Sequence, residues 1–155
     1  MAKIVQVNQR VIYLIGGDGR KPSLPDREYD VWRSCIKVDI ISGVFELKTR
    51  LTQRRSAFGV CLIGKLIYAV GGINEEDGDE RAVKGTERYD VIGDSWQELP
   101  KKCDVPDMLS TSITFDVIKK RYIYGFGGMG IEEDVPANDC ERILRLDHLK
   151  LNQGW

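Results

Sequence analysis

The chain has 155 residues, 42% of them hydrophobic, and sets 23 lysines and arginines against 24 aspartates and glutamates for a formal net charge of −1. That mixed balance excludes the basic footprint of a nucleic-acid binder or an anionic-membrane binder. No apolar run approaches the roughly 20 residues of a spanning helix, and the length suits one domain with a core.

In chain order the first expected strand is 4–7, followed by VIYLIGG (11–17), a polar segment (18–34), a strand at 35–38 and a strand at 44–47. A second set follows: a strand at 58–63, LIYAVGG (66–72), a polar segment (73–85), and strands at 86–89 and 96–99. The third set has a strand at 112–117, YIYGFGG (122–128), a polar segment (129–139) and a strand at 143–146. The runs before the glycines are short, rich in β-branched and aromatic residues, and apolar at every position rather than alternating. That pattern predicts a strand covered on both faces.

The glycine pairs Gly16-Gly17, Gly71-Gly72 and Gly127-Gly128 stand 55 and 56 residues apart. Repetition at this period points to a repeat architecture. After each pair comes a hydrophobic residue and an aspartate (Val38-Asp39, Tyr89-Asp90, Leu146-Asp147), then a turn containing Gly43, Gly93 or Gly154, then a large aromatic, Phe45, Trp96 or Trp155. A glycine without Cβ lets the backbone bend at a strand end while an aromatic presses against it. Tyr89, Trp96 and Trp155 are expected to be packing groups, each burying roughly 150–250 Å². Lys37, Arg88 and Arg145, two before each aspartate, are expected to face solvent as a row of cations.

The double glycine, Tyr-Asp and spaced tryptophan in one order resemble the kelch repeat, and the middle copy resembles the blades of kelch substrate adaptors. The resemblance covers nearly the whole chain and implies an all-β, kelch-type β-propeller: three four-stranded blades at 1–50, 51–105 and 106–155, the last with an incomplete outer strand. A propeller closes as a ring of roughly four to eight blades. Three copies fall short, so a larger ring of about six blades is expected, its remaining blades supplied by a longer chain or a second copy.

The resemblance further implies a non-catalytic module that holds a protein or peptide partner in a cup of inter-blade loops, as an adaptor or as a subunit of a large assembly. The adaptor version is a substrate receptor for a ubiquitin ligase; the other is a structural subunit, cytoskeletal or ciliary. The cup residues would be Arg54, Arg55 and Ser56 before the second inner strand, and Ser110, Thr111 and Ser112 before the third. From the loops after the glycine pairs, Asp18, Arg20, Asn74, Glu75 and Glu132 would join them. For Arg55 a blade-to-blade salt bridge is the competing role. With an acidic peptide in the cup, Arg55→Ala would weaken binding by roughly 1–3 kcal/mol.

Other chemistry has little support in the residues. Gly125-Phe126-Gly127-Gly128-Met129-Gly130 matches G-x-G-x-x-G, but IEEDVPAND follows instead of a helix that could face a pyrophosphate. The four cysteines, Cys35, Cys61, Cys103 and Cys140, make no C-x-x-C pair, and the single histidine, His148, is expected to be a solvated turn residue. No metal, cofactor or catalytic residue is therefore predicted. The cysteines read as reduced small hydrophobes of a cytoplasmic protein. The alternative is a kelch-fold enzyme acting on a sugar or small metabolite. It would need polar side chains near the ring axis, where 60–63 and 113–117 are nearly all apolar.

Overall fold

The computed structural model describes residues 2–20, 29–76, 79–105, 112–115, 121–126 and 143–155, with the backbone alone at 20, 29–31, 75–76, 79–81 and 112–115. The strands in chain order are β1 (Lys3–Gln6), β2 (Val11–Ile15), β3 (Asp18–Arg20), β4 (Tyr29–Val31), β5 (Cys35–Asp39), β6 (Phe45–Leu47), β7 (Gly59–Ile63) and β8 (Leu66–Val70). They continue as β9 (Ile73–Glu76), β10 (Asp79–Ala82), β11 (Thr86–Asp90), β12 (Ser95–Glu98), β13 (Ser112–Phe115), β14 (Tyr122–Phe126) and β15 (Ile143–Asp147). Every pairing among them is antiparallel. The first two copies each build a four-stranded sheet, ordered β1-β2-β5-β6 and β7-β8-β11-β12, and the third builds β13-β14-β15. The all-β architecture is the one expected, and the predicted strands recur within about two residues. Of the incomplete fourth strand expected in the third copy, the described residues show a 3-10 turn at Leu151–Gln153.

The three sheets stack in sequence, with the first strands β1, β7 and β13 adjoining one another. Two apolar interfaces hold them. The first joins Val5, Tyr13, Ile15 and Cys35 of the first blade to Phe58, Ile67, Ala69 and Tyr89 of the second. The second joins Cys61, Ile63, Tyr68 and Cys103 of the second blade to Ile123 and Leu146 of the third. Strand β8 serves both: Ile67 and Ala69 point one way and Tyr68 the other, so 67–70 are all buried. That is why its sequence is apolar at every position. The matching strand β2 buries only Tyr13 and Ile15 fully.

The glycine pairs of the first two copies share one backbone shape, with φ of 57° and 109° at Gly16 and Gly17 and 63° and 105° at Gly71 and Gly72. Such left-handed angles suit glycine. A Cβ on Gly16 would meet the Arg55 carbonyl and the Phe58 ring, and one on Gly72 would meet the Ser56 carbonyl and Phe58. The Phe58 ring thus presses on Gly16, whereas Gly72 is approached by the Cα and Cβ of the same residue. Gly127 and Gly128 lie outside the described residues.

Several expectations change. The polar segments after the first two glycine pairs are not plain loops: they fold into the hairpins β3–β4 and β9–β10. The turn before Trp96 contains Gly93 as expected, but its positive φ, 47°, falls on Asp94, whereas Gly43 and Gly154 themselves hold positive φ in theirs. The repeat aspartates cap that turn: Oδ1 of Asp39, Asp90 and Asp147 accepts from the N–H two residues on, at Ile41, Ile92 and Leu149. Of the cation row, Arg145 is exposed and lies over the Tyr122 ring. Lys37 and Arg88 are half-buried against Glu46 and Gln97 on the neighbouring strand. His148 is no solvated residue: its Nδ1 lies 3.2 Å from the Tyr68 hydroxyl, across the second interface.

Candidate interaction surface

One end of the stack carries both hairpins and the linkers between blades. Strand β2 leaves through Gly16-Gly17 into β3–β4, and β8 leaves through Gly71-Gly72 into β9–β10. The N–H groups of Trp32 and Val83 then return to the carbonyls of Gly17 and Gly72. The two hairpins adjoin through β4 and β9. The linker 48–58 lies under them, with Gly17 N–H donating to the Arg55 carbonyl at 3.0 Å and Arg55 N–H to the Trp32 carbonyl at 3.3 Å. Short hairpins held by paired backbone on a packed scaffold are well suited to present side chains.

The expected cup residues part company here. Arg54 and Asp18 are exposed, and Asn74 is partly so. Arg55 is fully buried: its guanidinium donates to Glu87 at 2.5 Å and to the carbonyls of Gly71 and Gly85 at 2.9 and 3.0 Å. Its place is structural, a correction to the ligand-facing role. The competing expectation also changes shape, because the main chain of Arg55 binds the first blade while its side chain binds the second. Ser56 is buried as well, exchanging two backbone hydrogen bonds with Ile73. Arg20, Glu75 and Ser112 are described by backbone alone, in β3, β9 and β13. Ser110, Thr111 and Glu132 lie outside the described residues.

Two equivalent clefts open on this end, and they differ in charge. Beside the second blade a cleft of about 420 Å³ is lined by Gln53, Asn74, Lys84, Glu98, Lys101 and Asp104. Beside the first, a cleft of about 290 Å³ is lined by Trp32, Arg33, Leu47, Lys48, Arg50 and Arg54. The Trp32 ring stacks on Gly19, where a Cβ would collide with it. The cations gathered around Trp32 come from two segments separated in sequence, Arg33 after β4 and Lys48, Arg50 and Arg54 in the linker, so only Arg54 among them was singled out from sequence.

The junction under this surface is polar at its rim. Glu87 accepts from Arg55 and, at 2.7 Å, from the Thr52 N–H; the Thr52 hydroxyl donates to Glu98. Asp94 accepts from the Thr49 N–H and from the Tyr89 hydroxyl, and the Trp96 indole N–H donates to the Thr49 carbonyl. The hydrogen bond from Thr49, then that from Tyr89, holds the Asp94 carboxyl below its ordinary range. Burial, then Asp94, pushes the Tyr89 phenol up. At the next junction the Trp155 indole repeats the move, donating to the Cys103 carbonyl at 2.8 Å. Glu87 was not singled out from sequence. The available signal was a carboxylate in a strand otherwise apolar on that face, with two arginines upstream.

Cys35, Cys61 and Cys103 are buried and free. Burial pushes the Cys35 and Cys61 thiols up to about 12 and raises Cys103 as well, which leaves them protonated packing groups. Cys140 is outside the described residues. Among the described residues no group of histidine, cysteine, aspartate and glutamate is placed to hold a metal ion, and no helix is long and apolar enough to cross a membrane.

Residues 54–102 match the Kelch motif. Over 86 residues, 56% of this chain, it is 30% identical to Kelch-like protein 15 of Mus musculus and 28% identical to Kelch-like protein 15 of Gallus gallus. Over 85 residues it is 31% identical to Kelch-like protein 15 of Danio rerio. The matched stretch spans only 13% of the mouse and zebrafish relatives and 16% of the chicken one.

Proposed function

From the premise that this chain is a kelch-repeat protein, we propose that it is a non-catalytic protein-interaction module whose partner rests on the hairpin end of the blades. The observation that carries the reading is the division of labour at that end. The residues sealing the junction (Arg55, Ser56, Glu87) are buried, while Asp18, Trp32, Arg54 and Lys84 reach the surface from elements fixed by backbone hydrogen bonds. Backbone fixed in this way has little entropy left to lose when a partner binds. The basic cleft around Trp32 and the mixed cleft around Lys84 favour a partner segment that carries both charges, its acidic end toward the first blade. Asp18, Arg54 and Asn74 are the contact residues kept from the sequence. A role as adaptor or assembly subunit follows the kelch resemblance, and the cytoplasm as its place follows the reading of the cysteines as reduced.

The test is differential capture. The chain, a rim variant (Asp18→Lys, Arg54→Glu, Lys84→Glu) and a control changed on the outer strand (Gln97→Ala) are each used as bait, and captured proteins are quantified by mass spectrometry. The expected result is a partner retained by wild type and control and lost by the rim variant. Capture that ignores the rim charges overturns the assignment.

A further inference from the structure

The two clefts at the hairpin end occupy equivalent places, and their linings match residue by residue. Lys48 and Leu99 donate their N–H groups to the carbonyls of Cys35 and Thr86, and the carbonyls of Arg33 and Lys84 accept from Leu51 and Val105. On the sheets, Leu47 pairs with Ile36 as Glu98 pairs with Glu87. Arg33 therefore stands for Lys84, Leu47 for Glu98 and Arg50 for Lys101. The second cleft brings its own acids: Glu87, Glu98 and Asp104 line it beside Lys84 and Lys101, and Glu98 accepts from the Thr52 hydroxyl. The first cleft has Arg33, Lys48, Arg50 and Arg54 in its lining and no carboxylate among the described residues.

Of these cations Lys48 is answered from beside the cleft, by Glu46 at 3.1 Å and Asp94 at 3.9 Å. Arg33 donates to the neutral Thr52 carbonyl at 3.4 Å, and both Arg33 and Arg50 are exposed. Three guanidinium groups thus stand around a recess of about 290 Å³ whose apolar wall is Trp32 and Leu47. That volume lies at the lower end for ligand sites and suits one side chain with its neighbours. The charge sets what that side chain is. A carboxylate brings one negative charge and two oxygens. A phosphate monoester brings a charge of about −1.5 to −2 and three acceptor oxygens, which guanidinium forks pair with bidentately. Resting on the reading of this end as a protein-interaction surface, we propose that the first cleft takes a phosphorylated side chain of the partner. Its phosphate lies toward Arg33, Arg50 and Arg54, and its carbon atoms lie against Trp32 and Leu47. A recess favours a peptide over a membrane, whose headgroups present a plane.

The experiment uses an array of peptides with a central phosphoserine, phosphothreonine or phosphotyrosine in mixed flanking sequence. Beside them stand the same peptides with the unmodified residue and with glutamate. The chains applied are wild type, a cleft variant (Arg33→Gln, Arg50→Gln) and the outer-strand control Gln97→Ala. Wild type and control are expected to hold the phosphorylated peptides at least ~10-fold more strongly than either comparison set, as for one or two charge-assisted hydrogen bonds. The cleft variant is expected to lose that preference while circular dichroism shows that its strands persist. No preference for phosphate overturns the proposal, as does a preference that survives in the cleft variant. Stronger retention on vesicles of phosphatidylcholine and phosphatidic acid than on the peptides overturns it in favour of a membrane. The wider reading is separated by treating the lysate with a phosphatase before capture. A partner still captured through the rim charges after that treatment keeps the interaction module and overturns the phosphate site.

Discussion

The first and second blades have the same four strands in the same order, yet equivalent side chains live in different surroundings. Trp96 is half-buried and donates its indole N–H across the junction; Phe45, in the same slot, is 70% exposed. Ile67 is fully buried, whereas its counterpart Ile12 is only partly covered. Ile36 stands where Glu87 forms a buried ion pair. The lesson is that a repeat's backbone is set locally while the fate of its second face is set by its neighbour.

The largest expected effect breaks the polar lock. Arg55→Ala leaves the Glu87 carboxylate buried without its cation and should cost about 3–5 kcal/mol in urea unfolding, with Arg55→Met/Glu87→Leu recovering most of it. The cost arises in stability rather than in partner affinity. Truncating Ile67 to alanine should cost about 2–5 kcal/mol, because its site is packed on both sides. The same truncation at Ile12 should cost distinctly less, and equal losses at the two sites would erase the contrast between the blades. Asp94→Gly keeps the left-handed turn and removes acceptors for Thr49 and Tyr89; about 1–3 kcal/mol is expected, read from the shift in urea midpoint. Trp96→Phe loses one indole hydrogen bond and some packing, on the order of 1 kcal/mol, and Phe45→Trp should stay within about 0.5 kcal/mol. The thiols give the smallest effect at neutral pH. Cys35 and Cys61 should resist a thiol reagent until the chain unfolds. Their folded-state values of about 12 lie above the ordinary cysteine value of roughly 8.5, so the unfolded chain loses these protons first. Stability should fall as pH rises from about 9 towards 12 and be unaffected by them below it.

The fold was legible because its signals are local. The glycine doublets, the apolar run of β8 and the aspartate before each turn carry their reason within a few residues. The hairpins after the glycine pairs were hidden because β3–β4 and β9–β10 are only three or four residues long and mostly charged, too short to carry a periodic signal. The site was less legible for a different reason. Arg54 and Arg55 are adjacent and chemically alike, and no sequence pattern says that one reaches water while the other pairs with Glu87, 32 residues on. Trp32, Lys48 and Arg50 gather in one cleft only because β4, β6 and the linker end at the same edge.

The buried Arg55–Glu87 pair also limits how this chain could have been reshuffled. A linker bearing Arg55 tolerates behind it only a sheet with a carboxylate at the position of Glu87. Set the first blade there and the guanidinium would meet Ile36, stranded without a counter-ion at a penalty of several kcal/mol. The sheet behind that linker is thus addressed to its place in line by a single buried charge, though as a string it looks interchangeable with its neighbours.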